Sequence, residues 1–281
     1  MWKEVFTMKI SKKITIPWHI IFMFTVFLLI FPIVFAVGSS FKTLQDAYNS
    51  PLSIFPTNPT LENYKVFFES LPAFKITLNT FIIASVVTIF KVVTSFLAAY
   101  AFVYFIFKGK NVLYFLLIST IFLPFTVTMI PNYLIISSMG LGNSIWGVIL
   151  PQLADAMGIF LLTQALRSIP VSLIEVARLD NMSHWHIMKD IVLPLAKPAV
   201  TSTSIWFFIT SWNEYVWPVL ILKSTENYTL PLALQMYISS EGGTNFTVAM
   251  AVSVITMIIP LALYLMFQKY IIGTFASSGI K

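Results

Sequence analysis

Three ionisable side chains, Lys91, Asp155 and Glu214, sit inside otherwise apolar stretches of this chain, accompanied by the amides of Asn79, Gln164 and Asn213. A charge at the centre of a bilayer costs at least about 2.5–3.5 kcal/mol on insertion scales, so such groups face protein or water rather than lipid. Two kinds of chemistry suit them. They line a polar route for a solute, with Asn213, Glu214, Asn79 and Asp155 as its hydrogen-bonding rungs, or they staple helices together, as interhelical polar contacts commonly do in membrane bundles. Lys91 keeps three readings: it meets an anionic substrate, pairs with Asp155, or snorkels from a helix whose lower end leaves the bilayer. Covalent and metal chemistry have less to stand on. The chain contains no cysteine, which excludes disulfides, thiolate metal sites and cysteine nucleophiles. His184 and His186 are two residues apart and face different sides of a helix, so no metal site is expected. No Gly-x-x-x-x-Gly-Lys-Ser/Thr loop, Gly-x-Ser-x-Gly elbow or His-Glu-x-x-His pair occurs, so the chain lacks the usual ATP cradle and these hydrolytic centres.

The elements that must position these groups are membrane helices. Hydrophobic residues make up 58% and charged residues 10% of the 281 residues, with a mean hydropathy of +0.85. A soluble domain usually carries about 25% charged residues; this is an integral membrane protein. We expect an all-α fold of six spans, at 18–37, 76–105, 111–133, 144–165, 199–222 and 246–271, forming one transmembrane domain over 1–281. The first span follows Lys3, Lys9, Lys12 and Lys13, which raises a cleaved signal peptide; its apolar stretch exceeds a signal core of roughly 7–15 residues, favouring an uncleaved span. With the N-terminus inside, twelve of the 17 Lys and Arg residues fall on the cytoplasmic side and four, Lys42, Lys65, Lys75 and Lys223, outside. That imbalance places both termini in the cytoplasm, and it also accounts for the net charge of +6 without a nucleic-acid partner. Two outside segments are substantial. Residues 39–75 carry Pro51, Pro56, Pro59 and Pro72 and read as a structured loop with short helical turns. Residues 223–245 contain Gly242-Gly243, a pair that lets a loop bend sharply.

A charged island, residues 166–198, separates spans four and five. It holds Arg167, Glu175, Arg178, Asp180, Lys189, Asp190 and Lys197 together with His184 and His186. Charge concentrated between two spans is exposed to water, and contact with a soluble partner is the simplest reason for it. Ser172-Leu-Ile-Glu175 matches a capping box at the start of a short helix, with Leu173, Ile174, Ala177 and Met182 on its apolar side. Asn181 suits a left-handed turn. Ser183 then caps a second helix through Ile187, Met188, Ile191 and Val192, which Pro194 and Pro198 are expected to stop.

Glu175-Val176-Ala177, then Asn181, then Ile191-Val-Leu-Pro194, resembles the EAA motif of ATP-binding-cassette importer permeases: Glu-Ala-Ala, three residues, Gly, nine residues, Ile-x-Leu-Pro. Val176 replaces an Ala and Asn181 replaces the Gly. Ile169-Pro170, Arg178-Leu-Asp180 and the run Trp212-Asn213-Glu214-Tyr-Val-Trp-Pro218 extend the likeness to carbohydrate-uptake permeases. The match is with the second permease of maltose-type and glycerol-phosphate-type systems, over roughly residues 15–275. The resemblance implies a type I importer permease fold, with Glu175, Val176, Ala177, Arg178, Asp180 and Asn181 forming a coupling element docked in an ATPase subunit. It also implies the partners: a homologous second permease making a heterodimer, two ATPase subunits carrying ATP and Mg, and an extracytoplasmic substrate-binding protein. By the same resemblance the loop tip Ser239, Ser240, Gly242, Gly243 and Thr244 meets the binding protein in a bacterial plasma membrane. No cofactor is expected in this chain and no catalysis by it. The expected cargo is a sugar or oligosaccharide, with glycerol 3-phosphate or a glycerophosphodiester as the alternative. A self-contained secondary transporter predicts repeated halves, and none is visible.

Overall fold

The computed structural model describes the backbone of residues 12–238 and 245–278 and the side chains of 17–238 and 245–268. It is helical, with no strand among the described residues. The helices are α1 (Lys12–Ser40), α2 (Leu44–Asn49), α3 (Glu62–Ser70), α4 (Ala73–Tyr104), α5 (Lys110–Ser119), α6 (Phe125–Ser138), α7 (Ile145–Ile149), α8 (Ala156–Arg167), α9 (Val171–Leu179), α10 (His184–His186), α11 (Leu193–Trp212), α12 (Val216–Ile221), α13 (Leu230–Ile238) and α14 (Phe246–Ser278). Four of them, or four continuous stretches, are long and apolar enough to cross a bilayer: 17–40, 73–104, 184–221 and 246–268. The expected third and fourth spans are bent pairs. Helical residues 110–122 meet α6 at 99°, and 145–152 meet α8 at 43°. Both bends have a local cause in sequence. Pro124 stands at the start of α6 with an extended ψ of 138°. Asp155, also extended, caps α8 by accepting a hydrogen bond from the Gly158 amide at 2.9 Å.

The chain divides into two compact units. One joins residues up to Phe67 with Tyr237–Val254. Its centre is the segment after α1, where Lys42 is 1% exposed and its ammonium donates to the carbonyl oxygens of Ser50, at 3.0 Å, and Ser53. Asn63 donates to the carbonyls of Ser40 (2.8 Å) and Lys42 (2.7 Å) and accepts from the Thr247 hydroxyl (2.8 Å). The short helices expected between residues 39 and 75 are therefore present as α2 and α3, and Lys42, which the charge pattern assigned only to a side of the membrane, is a buried strut.

The other unit, Phe68–Met236 with the rest of α14, is organised around α4. α4 has neither Pro nor Gly along its 32 residues. It packs on α8 and α11 through Phe96, Ala99, Tyr100, Leu162, Leu166 and Ala196. The approach is close at Gly158, where a Cβ would lie 2.4 Å from the Phe207 ring and 2.6 Å from the Ser95 hydroxyl. The tryptophans of the Trp212–Pro218 run anchor this core. Trp212 donates to the Thr256 carbonyl (2.9 Å) and Trp217 to that of Gly147 (3.2 Å).

The second helix of the charged island does not end at Pro194 as expected. From His184 the backbone widens into a π-helical turn over Ile187–Val192 and continues through Pro194 and Pro198 into α11. Each proline lacks an N–H and crowds the carbonyl four residues earlier. The wider turn just before Pro194 and tertiary packing absorb that loss, as happens in membrane helices whose freed backbone groups find other partners.

Candidate functional site

Two regions of the second unit collect the residues singled out above. The first is a cleft of about 490 Å³ lined by Lys91, Asp155, Glu214, Gln152, Asn132 and Thr128 among others. Lys91 comes from the middle of α4 and Asp155 from the bend before α8; their charged groups are 3.4 Å apart. The Lys91 ammonium also sits 5.3 Å from the centre of the Phe207 ring, a further place for the cation. Of the three readings of Lys91, the pair with Asp155 is the one the geometry shows. Asp155 thus serves two partners, Lys91 through one oxygen and the Gly158 amide through the other. Glu214 stands at the break between α11 and α12, where one carboxylate oxygen accepts from the amides of Val216 (3.0 Å) and Trp217 (3.3 Å). The helix starts at this cleft are therefore occupied by the chain's own carboxylates.

Asn213 and Asn79 are not among the residues lining that cleft. The Asn213 amide bonds back to the Ile209 carbonyl and is exposed. Asn79 is 7% exposed and donates to the carbonyls of Glu226 (2.9 Å) and Tyr228 (3.3 Å), fastening the start of the 223–245 segment to α4. Asn143 does the same from the other side and was missed in the sequence. In a left-handed conformation (φ 57°), its side-chain oxygen accepts from the amides of Lys223 (2.9 Å) and Ser224 (3.0 Å). An Asn between Gly142 and Ser144, in a short polar interval between apolar helices, was the available signal. Ser239, Ser240, Gly242, Gly243 and Thr244 lie outside the described residues.

The second region is α9 and the turn after it. Ile174 and Ala177 are buried with Tyr100, Tyr104 and Leu166. The opposite side leaves Val176, Leu179 (81% exposed) and Trp185 (63% exposed) uncovered beside Glu175, Asp180 and Asn181. The capping box is not formed. Pro170 occupies the cap position with no side-chain hydrogen bond, so Ser172 is already inside the first turn and cannot close on the helix start. Glu175 is consequently exposed with no partner among the described residues. Asn181 has φ 55°, the left-handed turn its residue type suggested. Ser183 caps α10 by accepting from the His186 amide. Arg178 turns toward α4 and donates to the Tyr104 carbonyl at 2.9 Å. Among the described residues no three His, Asp or Glu side chains gather as a metal site would require.

A polar cleft at a bent helix pair, with an exposed amphipathic helix between two long apolar stretches, is an arrangement that suits a transport permease. Residues 5–273 match the family described as the binding-protein-dependent transport system inner membrane component. The chain belongs to that family. It is 30% identical over 265 residues to the sn-glycerol-3-phosphate transport system permease protein UgpE of Salmonella typhi, covering 92% of this chain and 94% of the relative. It is 28% identical over 264 residues to the Rhizobium meliloti protein of the same name, covering 90% and 93%. Its fold is shared with a solved bacterial ABC transporter involved in the import of the acidic polysaccharide alginate. That likeness has a TM-score of 0.77 at 22% identity, over 92% of this chain and 98% of the other. The type I importer permease architecture expected from the sequence is the one observed, and the chain is a permease subunit of a binding-protein-dependent ABC importer.

Proposed function

We propose that this chain forms half of a translocation pathway with a homologous second permease, both termini in the cytoplasm. Two ATPase subunits hydrolyse Mg-ATP and dock on α9, with an extracytoplasmic binding protein delivering the solute. The observation that carries the coupling role is Glu175, exposed and unpaired beside the uncovered apolar side chains Val176 and Leu179. A water-facing helix gains nothing by showing such a surface unless a partner covers it. Val176, Asp180 and Asn181 shape that contact with Glu175, while Ala177 seats the helix on the core behind it. Residues 239–244, at the far end of a segment whose base is held by Asn79 and Asn143, are its counterpart for the binding protein.

The cargo we favour is an uncharged sugar or oligosaccharide. A phosphate needs free cations or free helix amides, and here the cleft's one lysine is held by Asp155 while Glu214 takes the amides that open α12. What remains for the solute is hydroxyl, amide and carboxylate chemistry from Thr128, Asn132, Gln152 and Glu214, which suits sugar hydroxyls. Glycerol 3-phosphate or a glycerophosphodiester is the second reading, favoured by the glycerol-phosphate permeases among the relatives; it requires the second permease to supply the cations. The test is ATP-driven uptake in proteoliposomes holding the whole complex. Neutral sugars are expected to compete with the transported solute and glycerol 3-phosphate not to compete. Competition by glycerol 3-phosphate alone reverses the order of the two, and ATP turnover by the purified chain free of ATPase subunits removes the permease assignment itself.

A further inference from the structure

The coupling segment is tied to the rest of the chain at its two covalent ends, through residues 168–170 to α8 and through a π-helical turn to α11, and by a non-covalent contact with α4. The C-terminal covalent link runs through the π-helical turn Ile187–Val192 and past Pro194 and Pro198, where regular backbone hydrogen bonds are interrupted. The non-covalent contact is with the last turn of α4. Arg178 donates to the Tyr104 carbonyl (2.9 Å), one of the carbonyls a helix C-terminus leaves without an intrahelical partner. The Tyr100 hydroxyl meets both the Nδ1 (3.1 Å) and the carbonyl oxygen (3.2 Å) of His184. The His184 ring lies 4.5 Å from that of Phe105, and the Tyr104 hydroxyl donates to the Leu166 carbonyl (3.2 Å). Above this cluster α4 is unbroken. Lys91 lies thirteen residues before Tyr104 on the same helix, about 20 Å at 1.5 Å per residue, and there it holds Asp155.

We propose that Tyr100, Arg178 and His184 are positioning residues that clamp the coupling segment to the C-terminal end of α4. α4 is then the strut along which movement of α9 reaches the Lys91–Asp155 pair in the cleft. Toward α11 a motion imposed on α9 meets the irregular π turn, whereas α4, a helix without Pro or Gly, transmits it. Arg178 on this account faces its own chain and Glu175 faces the ATPase. The clamp rests on the coupling role proposed for α9 and assigns to it a direction of transmission.

The experiment uses the complete complex in proteoliposomes and reads solute transported per ATP hydrolysed. Tyr100→Phe keeps the ring and removes the hydroxyl; the ratio is expected to fall about fivefold, the scale of one neutral hydrogen bond. Arg178→Ala is expected to lower it roughly tenfold or more, because a charge-assisted bond is lost, and Arg178→Lys to recover part of that. The chain has no cysteine, so the double variant Tyr100→Cys/His184→Cys introduces a unique thiol pair. Its ratio is expected to be low until a short bifunctional thiol reagent links the pair, and to rise after linking. A ratio unchanged in Tyr100→Phe and Arg178→Ala, or a linked complex that stays uncoupled, overturns the clamp. Glu175→Ala separates the two levels of the argument: if it is also silent, the coupling role of α9 falls, and if it alone uncouples, only the clamp does.

Discussion

At the scale of single residues, Asn181 and Asp46 show how little chemistry a critical position needs. Asn181 holds φ 55° at the turn between α9 and α10. Gly reaches that region freely, whereas a β-branched side chain adds about 1–2 kcal/mol of strain there. Asn181→Gly is expected to transport normally and Asn181→Val to lose most uptake while still inserting, with membrane abundance and uptake measured on the same cells. Equal uptake by both variants removes the turn's assigned role. Asp46, in the segment after α1, accepts from the Thr57 amide at 2.8 Å. That hydrogen bond, with Lys42 adding to it, holds the carboxyl below its ordinary value. A lowered folded-state pKa stabilises the fold above the unfolded value, about 3.9. The contribution is lost as pH falls through the lower folded value. Thermal unfolding of the detergent-solubilised complex is expected to lose an acid-side dependence below about pH 4 in Asp46→Asn. An unchanged pH profile means that the carboxyl contributes nothing.

At the scale of elements, what matters is where helices stop and where they fail to stop. The bends before α6 and α8 create the cleft because they bring backbone and polar groups to a depth where a straight helix offers only side chains. Such irregular backbone belongs where it is buried or lines a cavity. The run from α10 through the π turn into α11 does the reverse, carrying two prolines without breaking. The base of the 223–245 segment is fastened by Asn79, Asn143 and the contact of Thr80 with the Leu230 amide (2.9 Å). The proposed contact of Gly242 and Gly243 with the binding protein has a direct test. Trp at both glycines is expected to abolish binding-protein-stimulated ATP hydrolysis and uptake while basal hydrolysis by the assembled complex persists. Full stimulation in that variant makes the segment a connector only.

At the scale of the whole molecule, orientation decides which of these surfaces meets which partner. In the orientation we propose from the Lys and Arg asymmetry, α9 is inside and residues 39–75 are outside. Single cysteines report this cleanly in a cysteine-free chain. Leu52 and Leu179 are both more than four-fifths exposed. Leu52→Cys is expected to react with a membrane-impermeant maleimide in intact cells stripped of any outer barrier, and Leu179→Cys only after permeabilisation. The opposite pattern inverts the molecule and with it the placement of every partner.

Several features were legible in the residues alone because their causes are local. Sustained apolar runs dictate spans, since a bilayer leaves an unpaired backbone no alternative to a helix. The spacing from Glu175 to Pro194 carried the resemblance to importer permeases, and Asn181 declared its left-handed turn through its own side chain. Tertiary structure decided the rest. Ser172 and Glu175 have the spacing of a capping box, yet Pro170 starts the helix two residues early and releases Glu175. Lys91 had three readings until α8 brought Asp155 to 3.4 Å. Asn79 looked like a pathway group and is spent on the carbonyls of Glu226 and Tyr228, some 147 and 149 positions away. Lys42 carried only an assignment to the outer side, and packing alone shows that it is buried against Ser50 and Ser53. In each case the residue type specifies a polar demand, but which partner meets that demand depends on how distant helices pack, and no local pattern carries that information.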